Sequence, residues 1–293
     1  MIDIAPDRDP LVRWALHAPG ARVWRRPGAV VVACADLSHW DRLVINGEPE
    51  AVAGLLREAL AETGETFRPF GTEELVTEVV ERVPELEISA TFAWMETTEP
   101  VGQRSRPTEQ AGGPAGQARS TGQGGSIGQA GGSIGQARSA GQGGSIGQGG
   151  GSIGQGGGKI DPGGGLVEAV WLAETDWPEV TAMIKEAYPE SYAWPGNPGV
   201  RRWAGIRGTD GELLTVAAEA WSTADIGFMS GVATRPSARG RGLGAAICAF
   251  VADELLAGRE RVALLVDYWN AAALATYTRL GFTTRRVAAA RRR

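Results

Sequence analysis

Between Gly102 and Gly165 the chain carries almost no apolar side chain, and 25 of its 43 glycines fall in those 64 residues. Such a stretch has nothing to bury that would offset the entropy of ordering its backbone. The hexapeptide GGSIGQ occurs four times, from Gly124, Gly131, Gly143 and Gly150, at offsets of 7, 12 and 7. Uneven offsets do not suit a stacked solenoid, and the absence of glycine at every third position excludes collagen. The lone isoleucines Ile127, Ile134, Ile146 and Ile153 bury too little to drive self-association. The expectation is a disordered Gly/Ser/Gln-rich linker over 102–165, with a root-mean-square span of roughly 40 to 50 Å. It divides the 293 residues into a domain over 1–101 and a second over 166–293.

Several classes fall away on composition. A formal net charge of -5 argues against a general nucleic-acid or anionic-membrane binder, and the terminal RRR does not outweigh it. The longest strongly apolar run, Ala29 to Ala35, is far short of the roughly 18 residues of a membrane span. The start, MIDIAPDRDP, is acidic where a secretory signal is basic and then apolar, so the expected address is cytoplasmic. Two cysteines, Cys34 and Cys248, lie in apolar runs, and the two histidines are His17 and His39. No metal-ligand spacing can be assembled from them, and buried small hydrophobes are expected at both cysteines.

The second domain reads as strands and helices in alternation. LVEAVWLAE is a strand, and TDWPEVTAMIKEAYPE a helix opened by Asp176 and Pro178. Asp210-Gly211 marks a hairpin, and ADIGFMSGVAT a strand with Gly227 and Gly231 as bulge positions. Leu243, Ile247, Phe250, Val251 and Leu255 share one helix face. RVALLVDY is a buried strand, Asn270 caps a last helix that ends on Gly281 and Phe282, and TTRRVAAA closes the chain as a strand.

Between the Gly231 strand and the Leu243 helix lies TRPSARGRGLGA. Gly240, Gly242 and Ala245 satisfy the dinucleotide fingerprint formally, with Asp267 placed for a ribose. Against that, TRPSAR separates strand from glycines and only 26 residues follow Asp267, too few for the remaining βα units. A dinucleotide-binding protein stays as the remote alternative. In the other reading, backbone N–H groups of RGRGLG at a helix N-terminus hold a pyrophosphate. A bulged strand beside it would offer free backbone groups to an extended amide chain such as pantetheine.

The stretch VATRPSARGRGLGAAIC resembles the acyl-CoA-binding motif of the GNAT N-acetyltransferase superfamily, R/Q-x-x-G-x-G/A, with Arg239, Gly242 and Gly244 filling it. NAAALATYTRLGF is similar to the second signature, N-x-x-A-x-x-x-Y-x-x-x-G-F, at every specified letter. The resemblance spans about Leu166 to Arg293 and is nearest to the bacterial branch that resembles glycine N-acyltransferases. It implies an α/β mixed-sheet fold in β-α-β-β-β-α-β-α-β order and acetyl-CoA as co-substrate. It also implies backbone pairing of Val232, Ala233 and Thr234 with pantetheine, and a pyrophosphate cradle of Arg239, Gly240, Arg241, Gly242, Leu243, Gly244 and Ala245. Asn270 would sit near the thioester, and Tyr277 would protonate the departing thiolate, a role for which a phenol of pKa near 10 is suited. Spacing alone makes Tyr277 a core aromatic. Glu219 and Asp225 are the positional candidates for a base, while Glu174 and Asp176 suit helix capping. The family ends in two strands after its tyrosine-bearing helix; here there is room for one, so the other comes from the first domain or is absent.

The first domain also alternates strands and helices, but its INGEPE junction offers one glycine and two carboxylates that repel a pyrophosphate. It reads as a degenerate copy of the same fold, in tandem with the second, that helps shape the acceptor site. Trp24, Trp40 and Trp94 read as core or interface anchors. Two functions follow: an N-acetyltransferase acting on a small-molecule or peptide amine, with no metal, nucleic acid or membrane involved, or a non-catalytic acyl-CoA sensor. A homodimer is compatible with either.

Overall fold

A computed structural model describes residues 8–101, 159–160 and 166–293. Nearly all of the glycine-rich linker, with its GGSIGQ repeats, lies outside the described residues. Helix α1 (Pro10–Leu16) opens the fold. Asp9 caps it by accepting from the Leu11 N–H at 2.8 Å, and Pro10 fills a first-turn position whose N–H would be unsatisfied anyway. Strands β1 (Arg22–Arg26), β2 (Ala29–Leu37) and β3 (Trp40–Gly47) form a meander, followed by helix α2 (Pro49–Glu62), strand β4 (Arg68–Thr72), helix α3 (Glu73–Arg82) and strand β5 (Leu86–Thr97). A short pair, β6 (Lys159–Ile160) and β7 (Leu166–Val167), precedes β8 (Ala169–Trp171) and helix α4 (Trp177–Ala187). The chain continues through β9 (Val200–Arg207), β10 (Leu213–Ala220), β11 (Ile226–Thr234), helix α5 (Leu243–Leu256), β12 (Arg261–Asp267), helix α6 (Ala271–Arg279) and β13 (Thr283–Arg292). Two of these elements, α1 and β4, have no signal in the sequence reading, and the two-residue β6, which pairs with β7, falls in the stretch expected to be linker. Helix α1 is too short for a helical period to register, and β4 carries a proline and a glycine.

Strands from both sides of the linker build one 11-stranded mixed sheet, in the order β1-β2-β3-β4-β13-β5-β12-β11-β10-β9-β8. Each half places its last strand in the other. Strand β5 pairs antiparallel with β12, from Val262↔Thr97 to Asp267↔Phe92. Strand β13 pairs with β4 over Val287↔Thr72 to Ala289↔Phe70, and the two donated strands lie side by side over Thr283↔Glu96 to Arg292↔Leu86. The strand that the second half lacks is therefore β5. The arginines of β13 are accounted for by the same exchange: Arg286 Nε donates to Glu73 at 2.8 Å, and Arg291 Nε to Glu87 at 2.8 Å.

On one face, α1 and α4 pack into a single apolar cluster that spans both halves. The opposite face is covered by α5 and α6 over the second half and by α2 and α3 over the first. At the centre of the shared cluster Trp14 stacks on Phe228 at 4.6 Å and 9°, tilts against Trp94 at 5.4 Å, and donates its Nε1–H to the Trp221 carbonyl at 2.8 Å. Buried aromatic pairs of this geometry add to the area they bury. Trp94 is a core anchor, as expected. Cys34 and Cys248 are free and buried. No described helix is long and apolar enough to cross a membrane.

If the exchanged strands hold the halves together, a protease site placed within 102–158 and cleaved should leave both pieces co-eluting on size exclusion. They should unfold in one urea transition. Two separable pieces, or two transitions, would contradict the exchange.

Candidate active site

The site forms where a strand ladder stops. Strands β11 and β12 run parallel and pair only over Ile226↔Arg261, Gly227↔Val262 and Phe228↔Ala263, after which no described residue of β12 pairs with β11. On its other side β11 stays with β10, but the register skips between Ala233 and Ser230. The bulge falls at Gly231, whose φ is +62°. A Cβ there would meet the Trp203 ring at 2.5 Å, so both backbone conformation and space require glycine. Gly227 pairs regularly and is no bulge; a Cβ there would meet Leu255 of α5 at 2.7 Å, so its lack of a side chain serves close strand–helix packing.

The opening between β11 and β12 is a cavity. Of the residues singled out in the sequence, Val232, Ala233, Thr234, Arg239, Asn270 and Tyr277 line it. Gly240, with φ +78°, and Gly242, with φ +73°, turn the chain into α5. Gly242 caps that helix without any side-chain bond. The first-turn N–H groups of Leu243, Gly244 and Ala245 accordingly have no intrahelical acceptor. Leu243 and Gly244 are buried against the α5 core, and Arg241 belongs to the turn itself. Arg239 is anchored: its Nε donates to the Thr234 carbonyl at 3.3 Å and its Nη2 to the Ala187 carbonyl at 3.1 Å, tying the end of β11 to the end of α4. Arg235 donates through Nε to the Leu213 carbonyl at 2.7 Å and pairs with Glu186.

Helix α6 is built by its own sequence signature. The Asn270 Oδ1 accepts from the Ala273 N–H at 3.1 Å, which caps the helix and turns the Asn270 backbone toward the cavity. At the other end Phe282 N–H donates to the Tyr277 carbonyl and Gly281 N–H to the Thr278 carbonyl, both at 3.0 Å, with Gly281 at φ +90°. That bond pattern is a Schellman cap, and Phe282 packs against the Tyr277 ring at 5.7 Å. The letters Y-x-x-x-G-F thus fix where the Tyr277 ring stands. Tyr277 is 5% exposed. Burial raises its phenol well above 10, and the neighbouring Cys248, to which it is hydrogen-bonded, raises it further. Burial pushes the Cys248 thiol up to about 12, so both groups are neutral at physiological pH.

Glu219 does not belong to this cavity. It is 3% exposed and held between Arg202 Nε at 2.7 Å and Arg259 Nη2 at 2.7 Å. A carboxylate whose two oxygens already accept from guanidinium groups is a poor proton acceptor. Asp225 is likewise engaged, with His17 Nδ1 at 2.8 Å and with Arg13. Burial works to raise its carboxyl, and the hydrogen bonds from His17 and Thr223 more than offset this and hold it low. Asp176 stands at the N-cap of α4, but its side chain makes no cap bond to that helix; it accepts from the Ala173 N–H of the preceding turn at 3.1 Å and pairs with Arg207 at 3.1 Å.

The sequence reading missed part of the cavity wall. Ser38, Arg42 and Phe92 enter it from the first half, and Tyr188, Tyr192 and Asp267 from the second. His39 stacks on Tyr192 at 5.3 Å, in a turn where Asp36, Ser38 and His39 all have positive φ. For Arg42 one signal was present: strand alternation puts it on the inward face with Val44, where a charge is out of place. Among the described residues no group of three or more His, Cys, Asp or Glu side chains could hold a metal.

Residues 205–291 match the family model of the FR47-like proteins. A GCN5-related N-acetyltransferase from Kribbella flavida superposes with a TM-score of 0.55 at 17% identity, covering 96% of this chain and 92% of the other. The chain has the fold of the GNAT acetyltransferases. The sheet order and the antiparallel β9-β10-β11 meander rule out the doubly wound parallel sheet of the dinucleotide alternative. Lower scores link it to a GNAT-family acetyltransferase of Novosphingobium aromaticivorans, with a TM-score of 0.44 at 22% identity over 86% of both chains. A GCN5-related N-acetyltransferase of Sphaerobacter thermophilus gives 0.48 at 14% identity over 91% of this chain and 80% of that one. None of the curated proteins compared with the sequence matches it.

Since Glu219 is a structural ion-pair centre, Glu219→Gln should lower unfolding stability by about 1–3 kcal/mol, because two guanidinium groups lose their compensating charge. Gly231→Ala should cost a similar amount, about 1–3 kcal/mol, through strain at positive φ. Urea titration of the two variants reads both; an unchanged midpoint for Glu219→Gln would return it to the list of bases.

Proposed function

We propose that the protein is an acetyl-CoA-dependent N-acetyltransferase that moves an acyl group directly to a primary amine on a small molecule or peptide. The observation that carries this reading is the divergence of β11 from β12 after Phe228, with the side-chain-free cap of α5 at one end of the opening and Tyr277 inside it. The residues fit the co-substrate. An extended amide chain would pair with the free edge of β11 at Val232 to Thr234, and a diphosphate would meet the N–H groups of Gly240 to Ala245, where the helix dipole favours negative charge.

Bound there, acetyl-CoA supplies an acyl carbon activated as a thioester. The chain's part is to hold the amine against that carbon and to move protons. As the N–C bond forms and the C–S bond breaks, Tyr277 donates its phenolic proton to the sulfur, which leaves as a thiol. The neutral amine gives up one proton on the acceptor side, keeps the other as the amide N–H, and the released proton restores the Tyr277 phenol through solvent. Burial of Tyr277 suits the donor role, because a phenol held well above its ordinary range keeps its proton wherever the amine is deprotonated. In this reading residues 1–101 and 166–293 are tandem copies of one plan, of which the first has lost its phosphate turn and supplies a wall of the acceptor cavity.

Calorimetry should show acetyl-CoA binding, and at 100 times its dissociation constant the ligand should add about 2.7 kcal/mol to stability. Tyr277→Phe should retain that binding within threefold and lower kcat for thiol release by about 100-fold or more. In the unmodified protein, Tyr277 ionisation should cause no fall in kcat up to pH 10. Failure to bind acetyl-CoA, or full turnover by Tyr277→Phe, would overturn the assignment; binding without thiol release from any amine would identify a sensor instead.

A further inference from the structure

Two charged side chains in the cavity wall form no ion pair with a described residue. Arg42 on β3 is 2% exposed. Its one hydrogen bond runs from Nε to the Leu37 carbonyl at 2.9 Å, and its guanidinium lies over the Phe70 ring at 4.3 Å. No carboxylate of a described residue forms an ion pair with it; of its neighbours, the Tyr192 phenol favours its charge and Arg68, of the same sign, opposes it. Burial lowers Arg42 to about 10, which still leaves it a cation at neutral pH. A buried cation without a counter-ion is costly unless a ligand supplies one.

Asp267, at the end of β12, lines the same cavity. Its carboxylate takes part in no hydrogen bond or ion pair with a described residue, and burial raises it above the ordinary range. It stands next to the helix that carries Tyr277, since the Asn270 N–H that opens α6 donates to the Asp267 carbonyl at 3.0 Å. The two unpaired charges are well separated. The sheet order β3-β4-β13-β5-β12 puts four strand spacings, roughly 19 Å at 4.8 Å each, across the sheet between them. The register offsets them further along the strands, since Arg42 pairs with Arg68 while Asp267 leads through Phe92 and Val287 to Thr72. The long Arg42 side chain closes a part of this.

We propose that the acceptor is an ω-aminocarboxylate, with its primary amine at Asp267 and its carboxylate, several bonds away, on Arg42. This rests on the N-acetyltransferase reading. A guanidinium fork matches a carboxylate in shape and a monoanion in charge, and a single buried arginine would leave a phosphate dianion half compensated. Asp267 pairs with the ammonium when the acceptor binds and takes a proton from that nitrogen as it becomes nucleophilic. The α-amine and the carboxylate of an amino acid, being adjacent, cannot reach both groups.

The test uses the full chain with acetyl-CoA and an acceptor series: glycine, 4-aminobutyrate, 6-aminohexanoate, 6-aminohexanamide and hexylamine. Thiol release should rise along the three acids, and 6-aminohexanoate should exceed its amide and hexylamine by at least about tenfold in kcat/KM. Arg42→Met should reduce that preference to within about twofold and Arg42→Lys should keep part of it, with acetyl-CoA calorimetry verifying that both variants are folded. Asp267→Asn should raise KM for every amine. An amide as good as its acid, or glycine as the best acceptor, overturns the proposal. If no amine releases thiol, calorimetry of the acids and the amide on CoA-saturated protein decides. Binding of 6-aminohexanoate but not of its amide upholds the acceptor class while the transferase reading falls, and equal or absent binding overturns the acceptor class.

Discussion

Neither half of this chain can satisfy its own sheet edge, and the rest of the structure follows from how that is solved. Strands β4 and β12 each end a half-sheet with a row of unpaired backbone groups, which in isolation invites aggregation. The donated strands β13 and β5 cover both edges and pair with each other over ten registered positions from Thr283↔Glu96 to Arg292↔Leu86. The result is one continuous sheet with one shared apolar face, in which Trp14 of the first half stacks on Phe228 of the second. It is also the reason that Ser38, Arg42 and Phe92 come to line a cavity opened by β11 and β12.

Within that sheet the cavity depends on a ladder that fails to close. Continued pairing of β11 with β12 would bury more hydrogen bonds, so something must hold the strands apart. Gly231 does so from the β10 side: its bulge turns the far end of β11 while the Trp203 ring fills the space beneath it. Arg239 then pins that end to α4 through the Thr234 and Ala187 carbonyls. The β11 backbone beyond Phe228 therefore faces the gap without pairing to a described residue of β12.

What the sequence disclosed was whatever depends on neighbours in the chain. The cap by Asn270, the Schellman end at Gly281 and Phe282, the hairpin at Asp210-Gly211 and the helix face of α5 all involve residues a few positions apart, and each was legible. The destination of β5 was not, because pairing across more than 160 residues leaves no local trace, and the choice between a borrowed and a missing strand stayed open. Glu219 failed for a similar reason. Its strand position resembles that of a base, but its partner Arg259 lies 40 residues away. Gly227 carried the same composition cue as Gly231, and only the packing of Leu255 distinguishes a close approach from a bulge. Arg42 and Asp267 were visible as residues and invisible as a pair, since they come to line one cavity only through the strand exchange.

The contrast between Glu219 and Arg42 bears on where function resides. Both are charged and nearly fully buried, at 3% and 2% exposure, and water compensates neither. Glu219 is compensated internally by two arginines, so its charge is spent on holding β9, β10 and the start of β12 together. Arg42 has an aromatic face and one carbonyl, which together do not replace a counter-ion. A protein under selection for stability alone would gain by exchanging Arg42 for an apolar residue beside Phe70 and Val44. Its presence in the wall of the cavity that holds Tyr277 is accounted for if the missing half of the interaction arrives with the acceptor. The Asp267 carboxylate, half-buried in the same wall, likewise forms no ion pair with a described residue. A site in which both compensating charges are left to the ligand selects for a molecule carrying both.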